Sequence, residues 1–182
     1  MTAVIDRKLI HHRQVVCLGY ERSDGLWDIE GTVTDRKPFP IWIEERGTVV
    51  TDEPIHEMTL RIAVDRTLQI HEVEVRVNRS PYRVCPAISH AYQQLVGLRI
   101  GSGFSLKIKR LFQGVEGCTH LTELLGPMAT TAFQALWDKL IDVDQPSSGK
   151  TGARFALNGC HALRADGELV RLYFSDSVDV QR

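Results

Sequence analysis

The sequence holds no local Cys-x-x-Cys pair, no block of basic residues and no apolar run long enough to span a bilayer. Each absence removes a class of protein. Without closely spaced cysteine pairs, a zinc ribbon cannot be built locally. A formal net charge of -1, spread along the chain, leaves no electrostatic footprint for nucleic acid. Short apolar runs offer no transmembrane helix. The patterns GxxxxGK(S/T), GxSxG and HExxH are also missing, so the sequence shows no Walker-type phosphate loop, nucleophile elbow or zincin helix. The first residues, MTAVIDRKLIHHRQ, contain no apolar signal region, and a cytoplasmic location is expected. Neither nucleic acid nor membrane is expected as a partner. A protein partner is compatible with the composition, and the oligomeric state is not legible.

What is present is ordinary globular composition over 182 residues, read as a single domain. Its core spans 15–143, a linker 144–152 (DQPSSGKTG) follows, and a short β segment lies within 153–182. Trp27, Ile29, Gly31 and Val33 alternate with Asp28, Glu30, Thr32 and Thr34, the mark of a half-buried strand. Ser23-Asp24-Gly25 is turn chemistry, so 15–22 and 26–34 predict a hairpin. Residues 41–43 and 47–50 are short apolar pieces suited to edge strands. Met58, Leu60, Ile62 and Val64 predict a strand over 57–65. A second strand over 68–78 changes phase near His71-Glu72, which predicts a bulge. Cys85-Pro86 opens a helix carrying Ile88, Ala91, Tyr92 and Leu95 on one face, and Gly97 closes it. Residues 104–112 fit a strand or a short helix equally. Leu121, Leu124, Leu125, Met128, Ala132 and Leu136 form a helical stripe that Pro127 should kink or split. Strands come first and helices later, which predicts an α+β fold: an antiparallel β-sheet with helices packed on one face.

The stretch 114–125 (GVEGCTHLTELL) concentrates the chemistry. A glycine-flanked loop delivers Cys118 and His120 to a helix start, where free N–H groups favour a thiolate. His56, Cys85, Cys118 and His120 all sit at element ends, where side chains meet at one rim of a sheet. Two sulfurs and two imidazoles suit zinc or iron held tetrahedrally. Asp65 and Glu123 could orient an imidazole from outside. Cysteine is also among the most commonly buried residue types, and Cys17 in VVCLGY reads as core. Cys160-His161 is a second pair of unknown position. His11, His12, His71 and His90 receive no role. Asp28, Glu30 and Asp35 read as a solvated strand face, and Phe133 with Trp137 as helix packing.

The stretches GYERSDGLWDIEGTVTD, EPIHEMTLRIAVD, CPAISHAYQQLVGL, GCTHLTELLGPMATTAFQ and LNGCHAL resemble a bacterial domain family of unknown function. Residues 54–140 also resemble, more distantly, the iron–sulfur cluster assembly scaffold of the NifU type. Met58–Asp65 matches that family's first strand, Cys85 its middle cysteine and Cys118 its last. Its first cysteine falls near Pro54, His56 falls at its characteristic aspartate, and His120 follows the last cysteine where the scaffold's histidine precedes it. The resemblance implies a scaffold-like core: a three-strand sheet with helices, an extra N-terminal hairpin, and a rim where His56, Cys85, Cys118 and His120 meet. Binding of a metal ion or an iron–sulfur cluster there is the leading expectation. The alternatives are an enzyme with Cys118 as nucleophile and His120 or His56 as base, and a non-catalytic interaction domain.

Overall fold

Alternation of apolar and polar residues builds the sheet. The computed structural model describes residues 5–140 and 157–174. Strands β1 (His12–Glu21), β2 (Trp27–Arg36), β5 (His56–Val64) and β6 (Ile70–Arg79) form an antiparallel sheet in the order β1-β2-β5-β6. The expected hairpins are therefore there, and they join side by side through β2 and β5. The short pieces β3 (Ile41–Ile43) and β4 (Gly47–Val49) pair with each other as a separate ribbon, packed through Ile43, Val49 and Ile55. Within 54–140 there are two strands, where the cluster scaffold implies three, and the N-terminal hairpin completes the sheet.

On β2, every second residue from Trp27 through Ile29, Gly31, Val33 and Asp35 is buried. Met58, Leu60, Ile62 and Val64 on β5 extend the same apolar surface. The bulge falls where the phase change predicts it: Ala63 pairs with Glu72 and Val64 with Ile70, leaving His71 unpaired. Asp65 holds the preceding turn, accepting from Thr67 N (2.8 Å), Thr67 Oγ1 (2.7 Å) and Gln69 N (3.1 Å). The opposite face is polar. There Arg61 bonds Asp28 (2.8 Å), Glu72 (3.0 Å) and Glu74 (3.1 Å).

One apolar face needs one cover, and helices provide it. Helices α1 (Phe104–Leu111), α2 (Thr119–Ala135) and α3 (Glu168–Tyr173) follow the strands, after a 3-10 helix at Cys85–Leu95 that buries Tyr92 and Leu95. The ambiguous stretch resolves as helix, burying Phe104 and Ile108. Helix α2 lies across β1, β2 and β5 and buries Leu121, Leu124, Leu125, Met128 and Ala132. Pro127 does not split it. The proline sits on the exposed face, where water can satisfy the carbonyl that lacks its helical donor. The tail is a correction. Residues 168–173 form α3, anchored by Val170, where a hairpin or strand was expected. Residues 144–152, the expected linker, lie outside the described residues. No helix among the described residues is long and apolar enough to cross a membrane.

Close approach of α2 to β2 depends on Gly31. A Cβ there would meet Met128 Sδ at 2.6 Å and Cγ at 2.7 Å. Gly31→Ala is expected to destabilise by about 1–3 kcal/mol through overpacking. Urea unfolding checks this, and Gly126→Ala, with nothing within 4 Å, should have no such clash.

Candidate metal centre

The face of β2 that carries the core ends on a carboxylate. Asp35 has the same parity as Trp27 and Val33 and is 1 % exposed, so its assignment to a solvated face is overturned. Register places partners on both sides: Asp35 lies opposite Arg13 on β1 and opposite His56 on β5. A buried charge requires pairing. Arg13 supplies it as a fork, with Nε donating to Oδ1 (2.8 Å) and Nη2 to Oδ2 (2.9 Å). Its Nη1 donates to Glu123 Oε2 (2.6 Å), tying β1 to α2. His11 Nε2 stands 3.0 Å from Asp35 Oδ1. Burial alone would raise the Asp35 carboxyl, but the hydrogen bonds from Arg13 and His11 and the Arg13 charge outweigh it and hold it at about 2.

The second wall comes from the start of α2. Tyr92, fully buried and stacked on Phe112, fixes that start. Its hydroxyl donates to the Cys118 carbonyl (2.9 Å) and accepts from the Cys118 N–H (3.0 Å), with Thr122 Oγ1 at 2.8 Å. His120 thereby projects over the row formed by the strands. Its Nε2 is 3.3 Å from Asp35 Oδ2, and His56 Nδ1 is 3.2 Å from the same oxygen. The two imidazoles stack, with centroids 3.7 Å apart and planes at 28°.

His56 Nδ1 is buried 3.2 Å from Asp35 Oδ2, outside good hydrogen-bond geometry, and the carboxylate only partly offsets the effect of burial on the ring. Each of Asp35, His56 and His120 offers a ligand atom within 4.8 Å of the others. A tetrahedral ion with bonds of about 2.0–2.1 Å has ligand–ligand edges of roughly 3.3–3.4 Å. The two nitrogen–oxygen separations of 3.2 and 3.3 Å match that edge. Both imidazoles are held neutral, as ligands must be. Burial lowers His56 to about 4, helped by the neighbouring His120, and burial also lowers His120.

Of the four residues singled out as ligands, His56 and His120 come together. Cys118 lies beside them, its Sγ 3.9 Å from His120 Nδ1, on the ring nitrogen turned away from Asp35. Cys85 opens the 3-10 helix and is outside the group. The group holds no thiolate, whereas iron–sulfur clusters are held by thiolates. Glu123 hydrogen-bonds Arg13 and reaches His120 only through its charge. Asp65 bonds His71 (2.7 Å) beyond the far end of β5. Cys17 packs against the core as expected, its thiol pushed up by burial. Cys160 is exposed. Sequence reasoning missed Asp35, Arg13 and His11. The signal for Asp35 was its odd parity with Trp27, Ile29 and Val33.

These protonation preferences set a pH dependence for the metal-free protein. The unfolded chain takes a proton on each histidine near 6.5, while folded His56 resists until about 4. Stability is thus full above about pH 6.5 and lost as pH falls toward 4. Between pH 7 and 5 a loss of roughly 1–2 kcal/mol is expected from His56. Urea midpoints at the two values check it, and His56→Gln should flatten the difference.

Residues 11–134 match the profile of a family described as protein of unknown function (DUF2889). That span contains Asp35, His56, His120 and their partners His11, Arg13 and Glu123. No curated protein and no solved structure matches the chain.

Proposed function

We propose that this chain, which belongs to the DUF2889 family of proteins of unknown function, binds a divalent transition-metal ion through Asp35, His56 and His120. The observation that carries the reading is the convergence of two neutral imidazoles and one ionised carboxylate, with the buried His56 Nδ1 outside good hydrogen-bond geometry. Two histidines and a carboxylate are a donor set used for zinc and for ferrous iron. Three protein ligands leave coordination positions for water or substrate, the pattern of catalytic rather than purely structural sites. Arg13 keeps the carboxylate ionised and oriented from outside, as outer partners of metal ligands do. Metal analysis of untagged protein purified without chelator tests the reading. Near-stoichiometric zinc or iron is expected, falling to background in His56→Ala and His120→Ala and retained in Cys85→Ser. Wild-type protein that holds no metal even after incubation with zinc or ferrous iron would sink it.

A second reading rests on the Cys118–His120 contact. Cys118 Sγ, His120 and Asp35 lie in the order nucleophile, base and orienting carboxylate, at 3.9 and 3.3 Å. It uses the same histidine and therefore competes with a bound ion. It requires Cys118 in metal-free protein to react with iodoacetamide faster than Cys17, and more slowly after His120→Ala. Equal rates at the two cysteines would count against it.

A further inference from the structure

The two edges of the main sheet are built differently. At the β6 edge the ladder is broken twice, between Glu57 and Met58 and between Ala63 and Val64. Edge groups there are already taken: Gln93 Nε2 donates to the Val73 carbonyl (3.0 Å), and Ile70 bonds Leu98 and Gly97 through its N–H and C=O (2.8 Å each). Glu72, Glu74, Arg76 and Arg79 add charge along the strand. Bulges, charges and covering segments are the devices that block strand addition.

β1 has none of them. It runs ten residues in unbroken register with β2, from His12 opposite Arg36 to Glu21 opposite Trp27. Every residue of it except Cys17 is exposed, and among the described residues its backbone bonds only to β2. On the face away from α2 it presents Val16 (39 %), Leu18 (47 %) and Tyr20 (48 %). Their β2 neighbours on that face are Thr32, Glu30 and Asp28, so the apolar stripe belongs to the edge strand alone. Of its charged residues, Arg13 near the start holds Asp35 and Glu123, and Glu21 at the end takes Lys139.

We propose that β1 pairs antiparallel with β1 of a second copy, joining two sheets into one across a twofold axis. An axis perpendicular to the sheet keeps each face on its own side, so residues pair only within a face. With the axis at Cys17, Val16 lies opposite the partner's Leu18, Gln14 opposite the partner's Tyr20, and Arg13 opposite the partner's Glu21. This register sets Val16 and Leu18 of each strand against Leu18 and Val16 of the other and brings each Arg13 beside a Glu21. A parallel pairing would set like charges together. The guarded β6 edge stops growth at two copies. The pairing needs no bound metal ion, although Arg13 in its register also holds Asp35.

Sedimentation equilibrium of the full chain across micromolar concentrations tests it. The expected mass is twice 20.5 kDa, reduced to that of the monomer by Leu18→Lys and by Val16→Lys. Tyr173→Lys, at an exposed apolar residue of α3, should remain dimeric. Hydrogen exchange on the wild type adds a readout that needs no variant: β1 amides pointing away from β2 should be protected at high concentration and exchange on dilution. A wild-type chain that is monomeric throughout, or a folded Leu18→Lys chain that dimerises like the wild type, would overturn the proposal.

Discussion

Asp35→Asn is expected to lower stability by about 2–4 kcal/mol and to abolish tight metal binding. The residue is 1 % exposed and accepts two hydrogen bonds from Arg13, with His11 Nε2 at 3.0 Å. Asparagine keeps the shape but replaces one acceptor with an NH2 donor. Whichever way the amide turns, a donor then faces an Arg13 donor in a site with little water. The pKa of the carboxyl gives a consistent figure. Held at about 2 in the fold, against an unfolded value near 3.9, it supplies about 2–3 kcal/mol above pH ~4, lost as pH falls toward 2. The variant should therefore also lack that acid-dependent loss. Urea unfolding of metal-free protein at pH 7 separates this effect from ligand stabilisation. Glu123→Gln is the contrast. Its carboxylate is 53 % exposed, and removing its bond to Arg13 should change stability by at most about 1 kcal/mol.

The second large effect lies in the packing beneath the site. Leu124→Ala is expected to cost about 3–5 kcal/mol, the range for a fully enclosed leucine whose surroundings cannot collapse. Leu124 is 0 % exposed, and its Cβ is 3.5 Å from where a Cβ on Gly31 would stand. Strands β2 and β5 form a continuous ladder, so the floor beneath α2 cannot rise to fill a void. Urea unfolding should show a lower midpoint with an unchanged slope. Leu106→Ala on α1, at 53 % exposure, should lie within about 0.5 kcal/mol of wild type. Helix α2 carries both Leu124 and His120, so loosening it should also weaken metal binding, though less than removing His120.

The strands were legible because one face is dry and the other wet, which writes a period of two into the chain. The bulge at His71 was legible for the same reason, since an inserted residue reverses the parity. The helical tail was not. Residues 168–173 contain too few apolar positions to separate a short helix from a strand. At the site, His56 and His120 were found because both stand at element ends, where β5 begins and α2 starts. Asp35 was missed because a charged residue at a strand end reads locally as solvated. Its parity pointed inward, but its burial depends on Arg13, and that pairing is set by the β1–β2 register. His11 escaped for a related reason, since nothing local ties it to a residue 24 positions away. Stacking of His56 on His120 is long-range geometry that no local pattern records. Cys85 matched the scaffold's middle cysteine in sequence, yet the two imidazoles meet a carboxylate instead of its sulfur.

Cobalt(II) titration of the metal-stripped, untagged chain, followed by calorimetry and visible absorption, addresses the three-ligand site most directly. One site per chain is expected, at least about 100-fold tighter than in the His56→Ala/His120→Ala double variant. Wild-type protein that binds cobalt no more tightly than that variant, both being folded, would contradict a metal centre at Asp35, His56 and His120.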